Sequence, residues 1–173
     1  MEWMDAGDLS AMIKAMPGMI PEPAIKYIAK KILDSIHQMH TNNQIHRDLK
    51  PLNVMLTTNG DIKLGDFGLA AQLVVEAFDQ KEIKGTPKWM APEILMTKPY
   101  TVLVDVWSLG IICLELAEGL NPYRGMSLNV IMQQMKSGKP PKLRNKEGRW
   151  SQEFLSFVND RCLVKDTVKR ADT

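Results

Sequence analysis

The chain has 173 residues, 45% of them hydrophobic and 24% charged, a balance that lets a single globular domain bury a core without disulfide or metal staples. Twenty-two Lys and Arg against twenty Asp and Glu leave a net charge of +2, which argues against nucleic acid or an anionic membrane surface as a partner. The two cysteines, Cys113 and Cys162, have no zinc-type spacing and cannot build a disulfide framework, so a reducing compartment, by default the cytoplasm, is expected.

The first twenty residues include Glu2, Asp5, Asp8 and Lys14 and hold no continuous apolar run, so no secretory leader is expected there. A short helix is predicted from Asp8 to Ala15, ended by Pro17-Gly18. Ile25, Ile28, Ile32, Ile36 and Met39 then recur at steps of three and four, which places one apolar stripe on a helix from Glu22 to about Thr41. Val54-Met55-Leu56-Thr57 and Ile62-Lys63-Leu64 read as short strands, with Asn59-Gly60 between them suited to a hairpin turn. No period persists from Gly65 to Pro92, and an ordered loop of that length in a compact domain is usually functional.

Val102 to Leu116 is the most apolar stretch, but Asp105, Ser108 and Gly110 interrupt it and it is too short to span a membrane. A helix buried on all sides, running from Val102 to Glu118 and stopped by Gly119, is predicted instead. Ser127 to Met135 forms a further short helix, and Lys136 to Arg149 is a polar surface connection. Ser151 is an N-cap for a helix bearing Phe154, Leu155, Val158 and Cys162. The expected body is mainly α, a bundle around the buried helix with one small β-hairpin flanked by polar residues.

Those polar residues carry the chemistry. His46-Arg47-Asp48-Leu49-Lys50-Pro51-Leu52-Asn53 sets an acid, a cation and an amide just before the first hairpin strand, and Asp66-Phe67-Gly68 follows the second. Ala91-Pro92-Glu93 and Asp105-Val106-Trp107-Ser108-Leu109-Gly110 come next in order. Together these resemble the C-terminal lobe of a eukaryotic protein kinase, from Met1 to about Arg170. The run Gly85-Thr86-Pro87-Lys88-Trp89-Met90-Ala91-Pro92-Glu93, with Lys50, is similar to the sterile-twenty-like group of serine/threonine kinases.

The resemblance implies transfer of the ATP γ-phosphate to a Ser or Thr hydroxyl of a protein substrate, with ATP and Mg²⁺ as cofactors. Such a reaction asks the protein mainly for positioning and charge neutralisation. Asp48 would accept or orient the proton of the substrate hydroxyl, and Lys50 would set a cation against the transferring phosphate. Asn53 and Asp66 would hold Mg²⁺ through hard oxygen donors. Residues 1–9 resemble the kinase hinge: Met1 falls near the gatekeeper, backbone groups of Glu2 and Met4 would meet the adenine edge, and Met55 would lie beneath it. Asp8 is either a ribose contact or a plain N-cap. His46 and Phe67 resemble stacked core residues tying the catalytic loop to the magnesium loop, Asp105 would hold the catalytic-loop backbone, Trp107 is core, and Glu93 and Arg170 resemble a structural ion pair. His37 and His40, three apart on a helix, have no third ligand nearby and suit the helix C-terminus without a metal.

Two departures qualify this picture. By the resemblance, residues 1–173 are a partial kinase domain comprising the hinge and C-terminal lobe. The glycine-rich loop, strand lysine and helix glutamate of the N-terminal lobe, and the family's last helix, are not among them, so the piece is expected to be inactive alone. Second, no Ser, Thr or Tyr lies between Asp66 and Thr86. Glu82 occupies the position where resembling kinases carry a phosphorylatable residue, and it could give Arg47 a fixed negative partner, with Asp79 or Glu76 assisting, or be a solvated loop acid. Thr167 and Ala171 stand where proline is common. The competing functional class is a pseudokinase or scaffold, against which the presence of Asp48, Lys50, Asn53 and Asp66 together argues.

Overall fold

The computed structural model describes residues 4–72, 83–145 and 148–173. Asp8 caps α1 (Leu9–Ala15) by accepting a hydrogen bond from Ala11 N at 3.1 Å. Pro21 and Pro23 then set the start of α2 (Glu22–Thr41), where proline fits because the first helical N–H groups have no partner inside the helix. The α2 stripe of Ile25, Ile28, Ile32 and Ile36 is fully buried and packs on α4 (Leu103–Glu118), which is buried on nearly every side. These two helices are the spine of the molecule, and both match the sequence expectation to within a residue.

The α4 helix ends at Gly119 with φ of 75°, and a Cβ there would sit 2.4 Å from Gly18 N. Only glycine serves both that left-handed turn and that close approach. Helix α5 (Leu128–Ser137) turns Ile131 and Met135 inward. Ser151 accepts from Phe154 N at 3.2 Å to start α6 (Gln152–Ser156), which runs on as a π-helical stretch, Phe157–Cys162. The widened turn keeps Phe154, Val158 and Cys162 all buried against the core. Burial pushes both thiols up, that of Cys162 to about 12, so they are inert packing groups.

Among the described residues there are two small antiparallel sheets rather than the single hairpin expected. In one, β2 (Val54–Leu56) pairs with β3 (Ile62–Leu64), Met55 facing Lys63. Their connection is wider than a two-residue turn: Thr57 N donates to Asp61 O and Gly60 N to Thr57 O, both at 3.0 Å. In the other, β1 (Gln44–Ile45) pairs with β4 (Ala71–Gln72), strands of two residues each that are too short to show a period in the sequence. A single helical turn, α3 (Pro92–Leu95), was likewise too short to read.

One buried ion pair closes the far side. Arg170 donates from Nη1 to Glu93 Oε1 at 2.5 Å and from Nη2 to Oε2 at 3.1 Å, while Nη1 also donates to Leu103 O and Nε to Val164 O. It lies over the fully buried Trp107 ring at 5.2 Å. Four of the five guanidinium N–H groups are thus engaged, and removing one partner of such a buried pair typically costs about 3–5 kcal/mol. Among the described residues, no helix is long and apolar enough to cross a membrane.

Candidate active site

The segment between β1 and β2 is held from below by α4. Asp105, fully buried in the first turn of that helix, accepts from His46 N at 2.9 Å and from Arg47 N at 3.0 Å, while His40 Nε2 lies 2.9 Å from its Oδ2. These bonds fix a backbone in which Arg47 takes φ of 66°, an unfavourable left-handed value for a branched-out side chain. Asp105 therefore holds the loop as expected. His37 and His40 sit in the last turns of α2. His40 is buried, with Nδ1 3.0 Å from Thr173 Oγ1, and His37 Nδ1 lies 3.1 Å from Thr173 O. Among the described residues, no three His, Cys, Asp or Glu side chains cluster as a metal site.

Once the backbone is set, Asp48, Lys50 and Thr86 converge. Lys50 Nζ lies 2.5 Å from Asp48 Oδ2 and donates to Thr86 Oγ1 at 2.9 Å, and the Thr86 hydroxyl donates to Asp48 Oδ1 at 2.7 Å. Asn53 joins them through its amide nitrogen, which donates to Asp48 O at 2.9 Å and reaches Asp48 Oδ2 at 3.4 Å. Asp48 and Asn53 are buried and Lys50 is mostly so. Charge-assisted hydrogen bonds in so enclosed a place define one geometry. The sequence placed Thr86 only in the activation segment; its direct bond to the Asp48 carboxylate was not foreseen, since 38 positions separate them.

Asp66 reaches the same neighbourhood through the hairpin. Gly65 N donates to Asn53 O at 2.8 Å, adding one rung beyond Val54 and Leu64, so Asp66 leaves the ladder beside the Pro51–Asn53 turn. It takes φ of 56° and caps the Phe67–Leu69 turn, accepting from Gly68 N at 3.4 Å, and its side chain is exposed. His46 Nε2 lies 3.3 Å from Gly65 O, tying the two loops. Phe67 departs from the expected stacked core residue. Its ring is tilted 52° from that of His46 at 5.6 Å, and 54% of the residue is exposed, because nothing among the described residues covers its outer face.

The remaining candidates divide. The segment holding Met4 and Asp8 runs beside β2: Ala6 N donates to Leu56 O, Leu56 N to Gly7 O, and Asp8 bridges Met55, which is half-buried. The Asp8 carboxylate is engaged as the α1 cap. Partial burial pushes its pKa up, but hydrogen bonds from Ser10 and Ala11 outweigh this and hold it below the usual range. Arg47 donates from Nε to Leu69 O at 2.7 Å and from Nη1 to Tyr100 Oη at 3.4 Å. Met1, Glu2, Glu76, Asp79 and Glu82 lie outside the described residues. A contact the sequence did not disclose joins Trp89 Nε1 to Glu115 Oε2 at 2.9 Å, with Asn121 Nδ2 at 3.1 Å. Burial raises the Glu115 carboxyl above its usual range despite those two bonds and nearby Lys88.

Comparison with known proteins agrees with the residues. A family model for the protein kinase domain matches residues 1–173. The chain is 39% identical over 175 residues to the serine/threonine-protein kinase pakA of Dictyostelium discoideum, covering 100% of this chain and 14% of that protein. It is 38% identical over 171 residues to the serine/threonine-protein kinase hippo of Drosophila melanogaster, covering 99% of this chain and 25% of that protein. The chain thus spans a quarter or less of the length of these relatives. Catalytic-loop motif, hairpin register and family match lead to one conclusion: the chain belongs to the protein kinase domain family.

Proposed function

We propose that the protein of which this chain forms the catalytic-loop lobe is an ATP- and Mg²⁺-dependent serine/threonine protein kinase. The observation that carries the reading is the enclosed triangle of Asp48, Lys50 and Thr86, with Asn53 bonded to Asp48. An aspartate oriented by a lysine and a threonine hydroxyl can accept a hydrogen bond from a substrate hydroxyl and hold it in line for attack. Lys50, already against that carboxylate, sets positive charge where the transferring phosphate gains negative charge.

The donor set fits Mg²⁺. The Asn53 amide nitrogen is engaged with Asp48, which leaves its oxygen available, and the Asp66 carboxylate is exposed with Gly68 N as its recorded donor. Both are hard oxygen donors of the kind this ion takes. When bound, the ion neutralises phosphate charge. Met4, with the Glu2 backbone, would meet the adenine edge and Met55 of β2 would lie beneath it, and Asp8 could share its cap with a ribose hydroxyl. Glu82 is proposed as a standing negative partner for Arg47, making the loop independent of phosphorylation within residues 67–85.

The chain spans a quarter or less of its relatives' length, so phosphotransfer is proposed for the full-length protein. The test is incorporation of labelled phosphate from ATP into a Ser/Thr protein substrate by the full-length protein and its Asp48→Asn variant. Activity lost in the variant supports the reading. An inactive but folded parent protein would overturn it in favour of a pseudokinase or scaffold.

A further inference from the structure

The strongest unassigned feature is lined by none of the residues around Asp48. Between the end of α3 and the C-terminal half of α5 is a cavity of about 700 Å³. Met96, Met132 and Met135 contribute its apolar part, and Lys98, Lys136 and Lys165 stand around it. Methionine side chains are flexible and polarisable, so a surface built of them accommodates apolar partners of differing shape. Among the described residues, no acidic side chain lines the cavity.

The three lysines are not equivalent. Lys165 donates to Met135 O at 2.6 Å and to Gln134 O and Gly138 O, closing the carbonyl end of α5. Lys98 and Lys136 are exposed, and their ammonium groups make no ion pair or hydrogen bond among the described residues. The chain after α5 is also basic, for residues 136–145 hold Lys136, Lys139, Lys142 and Arg144 and no acid. In a chain whose overall charge is only +2, this is a local excess of positive charge beside an apolar hollow. Such a field draws in an acidic partner and fixes its orientation, while burial of an apolar side chain supplies affinity.

We propose that this groove docks an acidic peptide segment of a partner protein, with a Leu, Met or Phe side chain on the methionines and Asp or Glu side chains on Lys98 and Lys136. The groove and the Asp48 triangle share no residue, so the inference stands or falls separately from the kinase reading. The test selects a phage-displayed random-peptide library on the full-length Asp48→Asn protein and counter-selects on the same protein carrying Lys98→Glu and Lys136→Glu. A fluorescein-labelled peptide from the selection is then titrated by anisotropy.

The expected result is peptides of net negative charge bearing a large apolar residue, bound about tenfold or more weakly after the double charge reversal. Binding is expected to weaken also in Met132→Asp and to be equal with and without the Asp48 change. The two lysines are exposed, so melting of the double variant by circular dichroism is expected to match the parent, which separates lost binding from lost folding. Recovery of no such peptides, equal binding to the charge-reversed protein, or displacement of the peptide by a short oligouridine that binds more tightly would overturn the proposal.

Discussion

The carboxylate of Asp105 accepts the backbone N–H of His46 at 2.9 Å, so the shape of the catalytic loop is set by a side chain 59 positions downstream. The same carboxylate bonds Arg47 N and approaches His40 Nε2. An amide in its place would present N–H groups to some of these donors. Asp105→Asn is therefore expected to destabilise the fold by about 2–4 kcal/mol, because buried donors lose their acceptor. Chemical denaturation checks the stability, and labelled-phosphate incorporation by the full-length protein is expected to fall about a hundredfold with it.

Thr86 offers a cleaner separation of structure from chemistry. Its hydroxyl bridges Asp48 Oδ1 and Lys50 Nζ, and valine keeps its volume without that bridge. Thr86→Val is expected to lower kcat of the full-length protein by about ten- to a hundredfold, the size typical of lost positioning. Its melting temperature should change little. Steady-state kinetics beside a thermal melt decide the matter, and an unchanged kcat would remove Thr86 from the machinery.

Gly85, one residue earlier, is constrained by backbone shape. It has φ of 113°, and a Cβ on it would stand 2.6 Å from Arg47 O. Gly85→Ala must move either the catalytic loop or the segment that delivers Thr86. Loss of activity beyond that of Thr86→Val is expected, with about 1–3 kcal/mol of stability lost to strain and overpacking. Matched stability and kinetics of the two variants measure the difference.

Glu22 supplies a test in pH. Its carboxylate accepts from Ser151 N at 2.7 Å and from Ser151 Oγ, with Lys26 Nζ at 2.7 Å, joining the start of α2 to the start of α6. Burial alone would raise its pKa, but hydrogen bonds from Lys26 and Ser151 prevail and bring it to about 2 from the usual 4.5. A carboxylate depressed on folding contributes stability in full above its unfolded pKa and loses it as pH falls through the folded value. Glu22→Gln is thus expected to cost about 1–2 kcal/mol near pH 7, allowing for solvent around the half-exposed Lys26. Urea titrations at stepped pH should show the gap to the parent narrowing from about pH 4.5 down to about 2.

Much of this arrangement was legible in the sequence, and the residues explain why. The α2 helix announced itself because four isoleucines repeat at helical spacing and all face one core. Asp48, Lys50 and Asn53 were legible because one tight loop requires them within a few positions. Local periodicity could not disclose partners that meet only after folding: Thr86 on Asp48, Glu115 on Trp89, Glu22 on Ser151. Pairing of β1 with β4 was hidden by the brevity of both strands. Phe67 was misplaced because an aromatic beside a catalytic motif implies burial, whereas the described residues leave its outer face open.

Arg47 and Asp66 both sit in the left-handed region, at φ of 66° and 56°. Each such residue costs on the order of 1–3 kcal/mol, tolerated where surrounding contacts over-determine it. The restraint comes from the Asp105 carboxylate of α4 and from the Gly65–Asn53 rung beside the hairpin. Readiness is accordingly built into the fold itself: the molecule forgoes a little robustness so that these two loops are held in one shape in advance.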